Sequence, residues 1–383
     1  MINNIQKFTF LAVVASLTIT SCKKKGCTDI DAQNYSSEAE KDDGSCTFYN
    51  TPSTYAFTDA EGNSTVNYSG QEDRLNQLEE MTTYMKSGTS ATISANAMRD
   101  MFYNEGDNGG GNFSFSSSKQ LGNKCLFSDT SAFTAYMSDL AAASIDFAST
   151  ASSGQAGTLT SGTSTYLFDA NGIEQVQIIE KGLMGAVFMY QACNVYLSTA
   201  NMNADNSEAV DPDAGEYYTN MEHYWDEAYG YFGAPIDFLT STDSFRFWAK
   251  YCNSTDAQLS SNSIIMNAFL TGRAAIINND FDTRDSQITI ITDIWEKVSA
   301  AQAVIYLEGA RDNFGTDNAK FLHELSEAYA FISNLKYAPL DTRTISITQI
   351  NTLLDTTIGN NFWAVTTTDL TSAINEINAI YNF

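Results

Sequence analysis

Histidine is almost missing from this chain: two occur in 383 residues, beside four prolines. Basic residues are also scarce, with 20 Lys plus Arg against 46 Asp plus Glu. The formal charge of -26 argues against nucleic acid as a partner, because binding a phosphate backbone needs cations on the protein. The same charge suits a cation ligand or a salty medium. No apolar run reaches the roughly 20 residues needed to span a bilayer. A Gly-x-Ser-x-Gly elbow, a His-Glu-x-x-His helix and a Gly-rich phosphate loop are absent too. Nothing in the residues requires an enzyme.

What is present starts with an export signal. Lys7 precedes an apolar core from Phe8 to Ile19, too short to span and long enough for a signal peptide covering 1–21. The segment ends on Ile19-Thr20-Ser21-Cys22, which resembles a lipobox. Cys22 is therefore the expected lipidation site and the acyl chains the expected membrane anchor. Residues 22–50 form the tether. Within it, Cys27 and Cys46 bracket an acidic loop that a disulfide would close, in keeping with an oxidising compartment. Asp29, Asp31, Asp42 and Asp43 offer oxygen ligands for calcium, or else form a solvated acidic turn. Cys125, Cys193 and Cys252 remain as an odd set of thiols.

About 330 residues follow, enough for a large core. Tyr55 to Tyr68 reads as one or two short strands around Glu61-Gly62-Asn63. Apolar residues then recur at three and four positions, as in Leu75, Leu78, Met81 and Met85. Ser94 is placed to cap the helix after it. The Ser/Thr/Gly stretch from Ser149 to Thr165 reads as a linker or surface excursion. Further helices are expected at about 173–198, 216–232, 244–251, 262–277, 283–311, 318–337, 346–355 and 368–380. The expected fold is all-α: a duplicated helical-hairpin bundle over 51–383 with a small β decoration near the N-terminus.

The duplication rests on the two histidines. His223-Tyr224-Trp225-Asp226-Glu227-Ala228-Tyr229 and His323-Glu324-Leu325-Ser326-Glu327-Ala328-Tyr329 share a pattern at an offset of 100 residues. Glu180-Lys181 and Glu296-Lys297 each open the preceding apolar helix. The repeat is thus expected over about 173–232 and 283–337. Residues four apart share one helix face, so His223 with Glu227 and His323 with Glu327 form two imidazole–carboxylate pairs. If the halves pack about a pseudo-twofold, both pairs face the bundle axis. Glu180, Glu296 and Asp226 are then further ligands or groups that orient the imidazoles. Such donors suit iron, zinc or manganese. The other reading is a polar cluster that fixes helix register. Ferritin-like di-iron chemistry is disfavoured, since its Glu-x-x-His motif meets Asn220 and Lys320 here. A metal-dependent hydrolase would need an open coordination position and a cleft.

Two stretches carry a resemblance: IEKGLMGAVFMYQACNVYL from Ile179 to Leu197, and EHYWDEAYGYFG from Glu222 to Gly233. With His323 to Tyr337, they resemble an uncharacterised group of Bacteroidota lipoproteins known only as a domain of unknown function. The group is distantly similar to imelysin-like, iron-regulated lipoproteins. That likeness implies iron, other metal or haem acquisition, with an outer-membrane uptake receptor as partner. Their Gly-x-His-x-x-Glu motif is not kept, because Met221 and Asp226 stand at the glycine and glutamate places. Surface-exposed lipoproteins of that phylum often carry acidic residues after the lipidated cysteine. Here Lys23, Lys24 and Lys25 follow Cys22, which favours an outer-membrane anchor facing the periplasm. The alternative is a structural or partner-binding surface lipoprotein whose His/Glu cluster only stabilises its core.

Overall fold

The computed structural model describes residues 23–29, 32, 34–48 and 51–383. The chain divides into two compact units, one up to residue 49 and one from residue 50. Cys22 and Asp31 lie outside the described residues.

In the first unit, β1 (Lys25–Gly26) pairs in parallel with β2 (Lys41–Asp42). Cys27 and Cys46 are disulfide-bonded across 19 residues of sequence, a loop length at which cross-linking stabilises by about 3 kcal/mol. Asn34 fastens the closing turn. Its amide donates to the Ser45 carbonyl at 2.7 Å and accepts from the Thr47 N–H at 2.9 Å.

The second unit is helical: α1 (Ser69–Lys86), α2 (Ala95–Tyr103), α3 (Thr130–Ala143), α4 (Gln175–Leu183), α5 (Asn220–Phe232), α6 (Phe247–Leu259), α7 (Ser261–Ile277), α8 (Phe281–Asn313), α9 (Asn318–Asn334), α10 (Ile347–Asn351) and α11 (Thr367–Tyr381). Capping follows the sequence signals. Ser94 accepts from Ala97 N–H at 3.3 Å, and Thr219 with Glu222 forms a capping box that starts α5. α4 runs on through π-helical turns at Met184–Met189 and Gln191–Tyr196, so the wound segment reaches residue 196. Gly185 makes its close approach possible: a Cβ there would lie 2.0 Å from Asn334 Oδ1. The 33-residue α8 is the spine, in contact with α6, α7, α9 and α11. Buried tryptophans fill the middle, with Trp248 and Trp295 ring centres 5.9 Å apart. Cys125, Cys193 and Cys252 are buried free thiols.

Two readings of the sequence need correction. The stretch from Ser149 to Thr165, expected as a linker or surface excursion, carries a hairpin, β3 (Gly157–Ser161) antiparallel to β4 (Ser164–Phe168). Gly162, at φ 58°, supplies the positive φ that a tight two-residue turn requires, and alternating threonines make the pairing surface. Conversely, Tyr55 to Tyr68 forms a single bridge, Thr58 to Ser64. The Asp59 carboxylate takes the Glu61 and Asn63 N–H groups at 3.0 and 2.7 Å, closing a side-chain-capped turn in place of a ladder.

Candidate functional site

α9 delivers the second pair. His323 Nδ1 lies 2.6 Å from Glu174 Oε2, and its ring stacks on Tyr166 of β4 with centres 4.3 Å apart. Its Nε2 is 3.9 Å from Glu327 Oε2, one helical turn on. Burial disfavours the imidazolium, but the Glu174 hydrogen bond and the Glu174 and Glu327 charges outweigh it. The His323 pKa is raised above its ordinary value.

Glu327 is not open to further ligation. Lys181 Nζ sits 3.3 Å from it and 2.8 Å from Glu180, and the Tyr306 hydroxyl also faces Glu327. Lys181 is 4% exposed. Burial alone would discharge this lysine, yet Glu180, Tyr251 and Glu327 hold its pKa well above the usual lysine value. Glu180 responds in the complementary sense. Its burial is overcome by Lys181, and its pKa is lowered.

α5 delivers the first pair in different company. Asp226 is fully buried. It accepts from the Tyr55 hydroxyl at 2.8 Å, Arg273 Nε at 3.0 Å and Asn67 N–H at 3.2 Å. Burial pushes its pKa up to about 6, against the pull of Arg273 and the Tyr55 hydroxyl. Arg273 also reaches Glu222 at 2.6 Å and the Thr65 carbonyl at 2.9 Å. This knot ties α5 and α7 to the extended segment before α1. Glu227 accepts from Gln71 Nε2 at 2.9 Å and faces the Tyr196 hydroxyl. His223 stacks on Tyr218, with ring centres 4.5 Å apart. Its Nδ1 is buried without a hydrogen-bond partner among the described residues.

Glu296 belongs to neither pair. It accepts from the Thr344 and Ile345 N–H groups at 3.0 and 3.3 Å and from the Tyr381 hydroxyl at 2.6 Å. Burial raises its pKa although those donors oppose the shift. Its work is to fasten α8 to the loop before α10 and to α11.

The structure therefore brings together Glu180, His323 and Glu327, around a lysine. His223 and Glu227 share a face of α5, and neither shares a partner with the α9 group among the described residues. Two separate clusters stand where one axial group was expected. Among the described residues, no three His, Cys, Asp or Glu side chains are placed to hold a metal ion. In the N-terminal loop, Asp42 and Asp43 accept from Gly44 and Ser45 N–H groups, both at 3.0 Å.

Sequence reasoning missed Glu174, Arg273 and the central part played by Lys181. A usable signal existed for the cations. Arg273 is a lone charge inside the apolar stretch Phe269 to Ile277, and Lys181, beside Glu180, stands between Ile178-Ile179 and the apolar run from Gly182 to Met189, where an unpaired charge would be prohibitive. Glu174 had no such signal, because its register with His323 depends on how α4 meets α9.

A family model described as Domain of unknown function (DUF4856) matches residues 52–383, nearly the whole second unit. The chain belongs to the DUF4856 family. No curated protein and no solved structure matches it. In this DUF4856 chain the matched segment coincides with the helical unit and leaves the disulfide loop outside.

Proposed function

We propose that this DUF4856 chain is a membrane-tethered extracytoplasmic binding lipoprotein in which the His/Glu pairs are architecture. The sequence Ile19-Thr20-Ser21-Cys22 supports the lipid anchor, and Lys23 to Lys25 support an outer-membrane site facing the periplasm. One observation carries the architectural reading. The Lys181 ammonium stands between Glu180 and Glu327, at 2.8 and 3.3 Å, in the position a metal bridging those carboxylates would need. Replacing it by a metal would leave a buried ammonium unpaired, at a cost of several kcal/mol.

A second reading, metal acquisition with an uptake receptor as partner, draws on one feature. His223 keeps a buried, unpartnered Nδ1 one turn from Glu227, which is half of an iron, zinc or manganese site. Elemental analysis separates the two. The chain, purified without His tag or chelator, is compared with a His223→Gln/His323→Gln variant. The architectural reading expects no stoichiometric transition metal in either and a lower melting temperature in the variant. Near-stoichiometric iron, zinc or manganese that disappears in the variant would sink it. Calcium alone, equal in both, would assign the acidic loop with Asp42 and Asp43.

A further inference from the structure

We propose that a polar trough at the C-terminal end of the α4 helix and its π-helical extension is a binding site for a neutral polyhydroxylated ligand, an oligosaccharide. The trough encloses about 560 Å³ between residues 193–199, the first turns of α8 and the loop 339–342. A neighbouring hollow of about 590 Å³ shares Met202, Asn203 and Arg284 with it. The first volume lies within the roughly 300–1,000 Å³ usual for small-ligand sites.

The wall chemistry selects the ligand class. Among the described residues, Arg284 is the sole cation lining either hollow, and it is already engaged. Its Nη1 donates to the Met202 carbonyl at 2.6 Å, and its Nε and Nη2 meet Asp285 at 2.8 and 2.7 Å. An anionic ligand would find no free positive charge. It would instead face the carboxylates of Asp285 and Asp341. A purely apolar ligand would bury amides, hydroxyls and carboxylates without replacing their water, which costs free energy for each group. A simple cation would meet Asp341 as the one carboxylate of the trough without a cationic partner among the described residues, Asp285 being balanced by Arg284, and a single exposed carboxylate holds a cation weakly.

Neutral hydroxyl groups fit the remainder. Asn203 and Asp341 side chains have no hydrogen-bond partner among the described residues, and they supply planar acceptors and an amide donor at the two sides of the trough. Ile288 and Leu340 add apolar surface to the lining. A lining that mixes polar groups with apolar surface suits a sugar ring, whose hydroxyls lie at its rim and whose C–H groups form its faces.

This assignment rests on the binding-protein reading, but its test is independent of the metal measurement. The full-length chain in detergent is applied to an array of neutral and acidic oligosaccharides, and the strongest neutral hit is titrated calorimetrically. Asn203→Ala/Asp341→Ala removes the free polar pair from exposed positions. Thr199→Trp, on the exposed rim, narrows the trough without touching the core. Each variant is expected to weaken the neutral oligosaccharide at least tenfold with an unchanged melting temperature. A blank array, binding confined to acidic glycans, or affinity unchanged in both variants would overturn the assignment. A blank array with a metal-free chain would remove this inference and leave the architectural reading standing. A neutral oligosaccharide bound by a chain that also carries stoichiometric iron would do the reverse.

Discussion

The two His-x-x-x-Glu segments begin from the same sequence pattern and end in opposite electrostatic arrangements. On α9 the charge is concentrated at the repeated residues themselves. His323 is held by Glu174, and Glu327 by Lys181. On α5 the repeated residues are nearly neutral in their contacts, with Glu227 on an amide and His223 on an aromatic ring. The ion pairing there has moved one position back, to Asp226 and Glu222 with Arg273. The matching places on α9 are Ser326 and Leu322. Each segment thus buries one cation between two carboxylates, recruited from α7 in one case and α4 in the other. A shared pattern fixes where polar groups enter the core. The neighbouring helices decide which of them carries charge.

Removing the cations gives the largest expected effects. Arg273→Met leaves Asp226 and Glu222 buried with no counter-charge and strips donors from Thr65. Loss of one partner of a buried ion pair typically costs about 3–5 kcal/mol, and Arg273 serves two acids from a fully buried position. Lys181→Met should cost less, toward the lower end of that range, because the Glu180 side chain is 14% exposed and can rehydrate. Urea denaturation of both variants checks the ordering. Equal midpoints for Lys181→Met and the parent chain would break the comparison, since the α9 cluster would then carry no buried charge worth pairing.

A smaller effect separates the segments by pH. The folded-state pKa of His323 is raised, with Glu174 and Glu327 overcoming burial. A group raised on folding stabilises fully below its unfolded value of about 6.5. That contribution is lost as pH rises through the folded value. Glu174 and Glu327 face the ring from the α4 side and from α9, Lys320 lies on the same helix, and Tyr166 covers the ring from β4. The stability difference between the chain and His323→Gln should therefore be largest on the acid side and shrink as pH rises past neutrality. A difference independent of pH would mean that the ring acts by packing on Tyr166 alone.

How far the sequence reached follows from the same contrast. Helices defined by apolar periodicity and caps were readable, because an amphipathic stripe and an N-cap are local properties. α8 and α11 fall within two residues of their expected limits. The β3–β4 hairpin was not, since its threonines and serines read as linker composition, and only Gly162 marks the turn. At the candidate site, the two histidine faces were visible at helical spacing. Their partners were not, because Gln71, Glu174 and Arg273 lie 156, 149 and 47 residues from the groups they bind. Helix periodicity says which side chains point inward. It says nothing about which opposite charge arrives from another helix.

The smallest expected effect is the most discriminating for the histidine that the structure leaves half-used. His223 Nδ1 is buried and unpartnered, so the ring contributes stacking on Tyr218 while one polar atom has lost its water. Replacing a buried polar group that makes no hydrogen bond with an apolar one of similar shape is nearly neutral or stabilising. His223→Phe keeps an aromatic face toward Tyr218 and removes the unpartnered nitrogen. Its stability should change by less than about 1 kcal/mol, in either direction, whereas His323→Phe takes the partner from Glu174 Oε2, leaving that buried carboxylate only the Gln177 amide on its other oxygen, and should cost about 1–3 kcal/mol. Thermal denaturation of the two variants side by side measures the gap. If His223→Phe proved as damaging as His323→Phe, the unpartnered nitrogen would have to be serving a ligand. The α5 pair would then be the functional one and the α9 pair its structural counterpart.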